Sequence, residues 1–164
     1  MKLRLALVLL LAALALAAPG KPFVDKKAGY QLVPPAGWKS HPDRAAQIKA
    51  SSVFTGVDQG GFVANINIMI QPVSKLDEFT RITREQIKSA QATIVSEKSV
   101  KLGSTPGHQM IWKMTMQGRK LQFHSTWFVA RGKTYLFTGT SLESRWSGVS
   151  KLFAQSAATF QPVP

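Results

Sequence analysis

The chain has 164 residues, with 21 Lys and Arg against 8 Asp and Glu and no cysteine. A formal net charge of +13 favours polyanionic surroundings. The lack of cysteine excludes thiol nucleophiles, thiolate metal sites, disulfides and the acylated cysteine that anchors a bacterial lipoprotein.

At the start, Lys2 and Arg4 precede an unbroken apolar run from Leu5 to Ala18, which closes on small residues before Pro19 and Gly20. This is the plan of a secretory signal peptide, too short for the roughly 20 residues that cross a bilayer as a helix. Ala15-Leu16-Ala17 offers an A-x-A cleavage site. The expectation is therefore a signal peptide over 1–18 and an exported protein, periplasmic or extracellular. Without Lys2 and Arg4 the net charge is about +11. Export disfavours nucleic acid as the polyanion and leaves anionic lipid headgroups, acidic glycans or a protein partner. The basic residues are spread rather than blocked, the longest pairs being Lys26-Lys27 and Arg119-Lys120. Part of the charge is accordingly read as a solubility device.

Residues 19–28 are rich in Pro, Gly and Lys and read as a flexible segment, with order expected to begin near Gly29. Tyr30 and Leu32 mark a short strand stopped by Pro34-Pro35, and a turn then delivers Trp38 into a second short strand. A third strand is expected over 52–55. After the turn Asp58-Gln59-Gly60-Gly61, the alternation in 62–71 predicts a long strand with Phe62, Ala64, Ile66, Ile68 and Ile70 on one face. Ser74 and Asp77 have capping-box spacing, and Leu76, Phe79, Thr83, Ile87 and Ala90 form a helical stripe. Four antiparallel strands follow, about 93–102, 107–116, 120–130 and 134–140. Gln117-Gly118 and Arg131-Gly132 between them are short enough for tight hairpins. The last helix, roughly 144–158, carries Trp146, Val149, Leu152 or Phe153, and Ala157 on one stripe.

Together these elements predict an α+β fold: one domain over 29–162, an antiparallel sheet of about six strands and flanking amphipathic helices. Several residues carry a resemblance. They are Gly29-Tyr30-Gln31-Leu32-Val33-Pro34 with Gly37-Trp38, the strand Ala64-Asn65-Ile66-Asn67-Ile68 and the helix opening Leu76-Asp77-Glu78-Phe79. The hairpin Gly132-Lys133-Thr134-Tyr135 and the closing helix from Arg145-Trp146 to Phe160 complete the set. In these residues the chain resembles the PsbP-like superfamily, which includes bacterial DcrB-like exported proteins. The resemblance implies an α/β/α sandwich and a role in binding or assembly rather than catalysis. It names no partner and no functional residue.

The motifs of catalysis and cofactor binding are missing from the sequence. No G-x-S-x-G, G-x-G-x-x-G or Walker sequence occurs, and the acids are isolated or on a helix face. His41, His108 and His124 show no local metal-ligand spacing. His108, Met110, Trp112, Met114 and Met116 alternate along one strand, a row with Cu(I)-like chemistry. Same-face neighbours stand about 6–7 Å apart, however, so core packing is the better account. Neither metal nor cofactor is expected. What remains is a polar row: Asn65 and Asn67 on one strand, with strand parity allowing Gln122, His124 and Thr126 on another to join them. The leading expectation is a non-catalytic binding or assembly protein acting on a protein partner or an anionic envelope component. The alternative is a small-ligand or metal-binding protein that uses the polar sheet face. A hydrolase with a dispersed site ranks third.

Overall fold

The computed structural model describes residues 20–163. Residues 1–18, for which a signal peptide is expected, lie outside the described residues. Ten strands and three α-helices follow one another: β1 (Phe23–Asp25), β2 (Tyr30–Leu32), β3 (Lys39–Ser40), α1 (Pro42–Gln47), β4 (Ser52–Asp58), β5 (Val63–Gln71), α2 (Leu76–Ser89), β6 (Thr93–Leu102), β7 (Thr105–Met116), β8 (Arg119–Ala130), β9 (Lys133–Leu142), α3 (Trp146–Ala158) and β10 (Gln161–Pro162). One 3-10 turn, Glu143–Arg145, leads into α3.

The main sheet has seven strands in the order β3-β4-β5-β9-β8-β7-β6, rather than about six. A second sheet, β1-β2-β10, holds three more strands. Strands β1 and β10, which the sequence did not suggest, are three and two residues long and lack a readable alternation. Order also begins earlier than Gly29, because Phe23 pairs with Leu32 and its ring packs edge-on against Phe54 at 5.1 Å. Every strand pair is antiparallel. The expected tight hairpins form: Gln117 and Gly118 have φ of 50° and 75°, Arg131 and Gly132 of 51° and 71°. Two successive positive φ values match the right-handed twist of the strands they join.

Helices α2 and α3 cover opposite faces of the main sheet. On the α3 face, Ala64, Ile66 and Ile68 of β5 are fully buried with Phe137, Phe128 and Phe153. The small sheet closes the same core through Tyr30, Leu32 and the adjoining Phe160. On the α2 face a smaller core joins Phe79 and Ile87 to Met110 and Trp127. Each large side chain so buried contributes about 1.5–3 kcal/mol. The two faces follow from β5 itself, whose alternation sends its isoleucines one way and Asn65, Asn67 and Met69 the other. The arrangement is thus an α/β/α sandwich.

Two local expectations change. The N-cap of α2 is Lys75 rather than Ser74, and no side chain caps it; Asp77 and Glu78 still occupy the first turn. Between β3 and β4 the chain forms α1, started by Pro42 in the first turn, where a missing N–H costs no hydrogen bond.

Candidate functional site

The β-sheet register divides the polar row expected from the sequence. Asn65 pairs with Thr140 and Thr140 with Phe123, while His124 pairs with Gly139, which pairs with Ile66. Directly opposed residues of an antiparallel pair share a face. Asn65 and Asn67 therefore lie on the α2 face, and Gln122, His124 and Thr126 on the α3 face beside Ile66 and Phe137. The single row of five does not assemble. Asn65 spends its amide locally, donating to the Val63 carbonyl at 3.1 Å.

The histidines are likewise separated. His108 faces α2, its ring 5.1 Å from that of Trp127 and its Nε2 3.4 Å from Glu97 Oε2. His41 Nε2 is 2.6 Å from Thr55 Oγ1 at the far edge of the sheet. No group of three His, Asp or Glu side chains among the described residues is arranged to hold a metal ion. In the His108-to-Met116 row, Met110 is buried in the α2 core, Trp112 stacks on Phe123 at 3.8 Å, and Met116 is exposed.

His124 and Thr126 instead belong to a different site, a groove between α3 and the β6–β8 end of the sheet. Trp146, Ser150 and Ala154 recur at intervals of four along α3 and so line one flank of the helix. Beyond Trp146 these side chains are short, and they leave a cavity of about 430 Å³ against the sheet. Across from them stand Lys98 of β6, Gln109 and Ile111 of β7, and His124 of β8. A second cavity of about 240 Å³ shares Lys98, Gln109 and Ala154 with the first and is lined further along by Thr126 and Lys101. The two form one trough along α3.

The chemistry of this trough is polar below and cationic at the rim. His124 is only 2% exposed, and its Nε2 is 2.6 Å from Gln109 Nε2. With the amide nitrogen donating, Nε2 accepts and the ring proton sits on Nδ1. Burial, helped by the nearby Lys98 ammonium, lowers the His124 pKa to about 4, so the ring is neutral at ordinary pH. The Thr126 hydroxyl is buried and has no hydrogen-bond partner among the described residues. Lys98 and Lys151 are exposed at the rim, and neither forms an ion pair among the described residues. Glu97 also lines the trough, but its carboxylate is on the other face, held 2.9 Å from Arg84 Nε. That contact keeps its pKa below the usual carboxylate value.

The sequence placed His124 and Thr126 among its candidates but missed Lys98, Gln109, Trp146 and Lys151. Their one available signal was the four-residue spacing of Trp146, Ser150 and Ala154, which reads equally well as the flank of any packed helix.

A separate cavity, of about 540 Å³, lies under α2 and is mostly apolar, with Met69, Phe79, Ile87, Trp112 and Leu136 in its walls. No helix among the described residues is long and apolar enough to cross a membrane.

Comparison with known proteins places this architecture. The cyanobacterial PsbP protein CyanoP of Synechocystis sp. PCC 6803 superposes with a TM-score of 0.66 at 18% identity, over 92% of this chain and 96% of that one. LpqN, involved in cell envelope biogenesis of Mycobacterium tuberculosis, gives 0.64 at 11% identity over 89% of this chain and 86% of its own. The Pseudomonas aeruginosa protein PA94, described as a putative regulator, gives 0.59 at 13% identity over 88% and 97%. These likenesses establish the fold. No curated protein sequence matches the chain significantly. The PsbP family model matches residues 20–162, nearly the whole described chain. By that match and by its fold, the chain belongs to the PsbP family.

Proposed function

We propose that this is an exported binding protein, acting without catalysis, that captures the anionic group of an envelope component or partner protein in the trough along α3. The observation that carries the reading is the pairing of two free lysines, Lys98 and Lys151, across a concave, polar-floored cavity. A positive potential at a concave rim concentrates anions and orients them, and the amide and imidazole below supply directional hydrogen bonds. His124 serves as a neutral hydrogen-bonding group here, fixed by Gln109 rather than by a carboxylate. Export is supported by Lys2, Arg4 and the apolar run to Ala18, and by the fold shared with LpqN, a protein of envelope biogenesis. Asn65 and Asn67 lie outside this site.

The test compares retention of the protein on its own envelope fraction, at low and high salt, with that of two charge-reversed variants. Lys98→Glu with Lys151→Glu should abolish retention, while Lys75→Glu with Lys88→Glu, on α2, should leave most of it. Equal losses from the two variants would mean that diffuse charge does the binding, and the trough would lose its role.

A further inference from the structure

From the full length of the trough we infer that its ligand is an acidic saccharide, a pyranose ring bearing a carboxylate. This deepens the anion-binding reading above and rests on it. Three features converge. The half-buried Trp146 indole borders the mouth, a flat apolar surface of the kind on which the C–H face of a sugar ring packs. Lys98 and Lys151 stand at the rim as point charges for a carboxylate, and neither is in an ion pair among the described residues. The floor offers groups that match ring hydroxyls, namely the Gln109 amide, the Ser150 hydroxyl and the Thr126 hydroxyl.

Thr126 discriminates this ligand from a bare anion. Its hydroxyl is buried without a partner, at a position where valine would fill the same space with no polar atom to satisfy. A buried, unpaired hydroxyl normally destabilises a fold. Here it lies beneath the second cavity, which adjoins the lysine rim through Lys98 and Gln109. A simple anion held at the rim would leave Thr126 unused. A sugar ring extending from the rim along α3 brings hydroxyls toward it. The two cavities, about 430 and 240 Å³, adjoin through Lys98, Gln109 and Ala154 and leave room for a ring that extends from the rim.

The experiment titrates the protein with galacturonic acid and trigalacturonic acid, with galactose, acetate and inorganic phosphate as comparators, and follows backbone amide shifts by NMR. The expected result is saturable binding of the galacturonates with shifts at Gln109, Thr126 and Ser150. Galactose should bind at least about tenfold more weakly, as loss of a charge-assisted contact predicts, and acetate, which keeps the charge, should bind at least about tenfold more weakly for want of the ring and its hydroxyls. Lys98→Gln with Lys151→Gln should weaken galacturonate by about tenfold or more. Thr126→Val should leave the fold at least as stable and weaken galacturonate several-fold without touching acetate. Acetate or phosphate binding as tightly as galacturonate would overturn the inference, as would Thr126→Val without effect on galacturonate or no saturable shift at all. If galacturonate fails while the Lys98 and Lys151 charge reversal still abolishes envelope retention, the saccharide inference falls alone. If that reversal also leaves retention intact, the anion-binding reading falls with it.

Discussion

Gln109 Nε2 lies 2.6 Å from His124 Nε2, joining β7 to β8 through two side chains that sit two residues out of register, on the same face, beneath α3. The contact holds the imidazole in its neutral form, and burial enforces the same state by lowering its pKa to about 4. An imidazolium here could not accept from the Gln109 amide nitrogen and would stand close to Lys98.

Stability should therefore fall in acid over a defined window. The unfolded His124 takes up its proton near pH 6.5, whereas the folded one does so only near 4. As pH drops from 6.5 to 4 the unfolded state is preferentially stabilised, by up to about 3 kcal/mol at the lower end. Above pH 6.5 His124 contributes no pH dependence. Urea unfolding at pH 7.5 and pH 4.5 measures the difference, and His124→Gln should flatten it. Glu97 and Glu143, held below the usual carboxylate range by hydrogen bonds from Arg84 and Lys113, add a loss that sets in at lower pH. An unchanged pH dependence in His124→Gln would mean that the ring is solvated and free to protonate.

The position of His124 also marks where sequence reading stopped. Alternation within β5 was legible, since Ala64, Ile66 and Ile68 point to one core. So was the β8–β9 register, because a two-residue turn at Arg131-Gly132 pairs Ala130 with Lys133 and every later pair follows. The relation of β5 to β9 was not legible. Gln71 pairs with Thr134 across a connection that includes α2, β6, β7 and β8, and no local chemistry sets its parity. One residue of offset there decides whether Asn65 and His124 share a face, and the observed offset separates them. The trough was beyond reach for the same reason, since it needs α3 laid against the edge strands.

Trp127 provides a test of the opposite face. Its indole is fully buried, and its Nε1 donates to Thr80 Oγ1 at 3.2 Å, while Thr80 Oγ1 donates to the Leu76 carbonyl at 2.8 Å. Thr80→Val keeps the shape and strands the indole N–H in the α2 core. The expected cost is about 1–3 kcal/mol by chemical unfolding, and Thr80→Ser should restore most of it. A valine variant as stable as the wild type would show that the Trp127 indole N–H does not depend on the Thr80 hydroxyl.

Gly139 sets how closely α3 approaches the sheet. Its partner across β5 is Ile66, and a Cβ built on it would collide with the Phe153 ring. Both Gly139 and Phe153 are on the core side, so the ring can retreat only by lifting the helix. Gly139→Ala should lower stability by about 1–3 kcal/mol, the range for overpacked cores. Adding Phe153→Leu should recover part of that loss, a coupling that a thermal-melt double-mutant cycle detects. Strict additivity of the two changes would show that the alanine is accommodated elsewhere.

Tyr30 ties the small sheet to the large one. Its hydroxyl is 2.6 Å from Ser52 Oγ and 3.2 Å from Ser51 Oγ, and Ser51 in turn reaches Asp25 at 3.4 Å. The ring packs edge-on against Phe160 at 5.7 Å, so one side chain links β2 to β4 and to the end of α3. Burial raises the Tyr30 pKa above the ordinary 10.0 despite the serine hydroxyls, which favour the anion. A raised folded pKa gives stability that is present below pH 10 and lost as pH rises through the folded value. Tyr30→Phe removes both the hydrogen bonds and this titration. It should cost about 1–2 kcal/mol at pH 7, since the serines can rebond to each other or to water only in part. The gap between wild type and Tyr30→Phe should then narrow above pH 10. Hydrogen exchange locates the effect: the amides of β1 and β10 should lose protection first, because Tyr30 pairs with Asp25 of β1 on one side and Pro162 of β10 on the other. A gap that stays constant with pH would assign the loss to the hydrogen bonds alone, with Tyr30 ionising over the same pH range in both states.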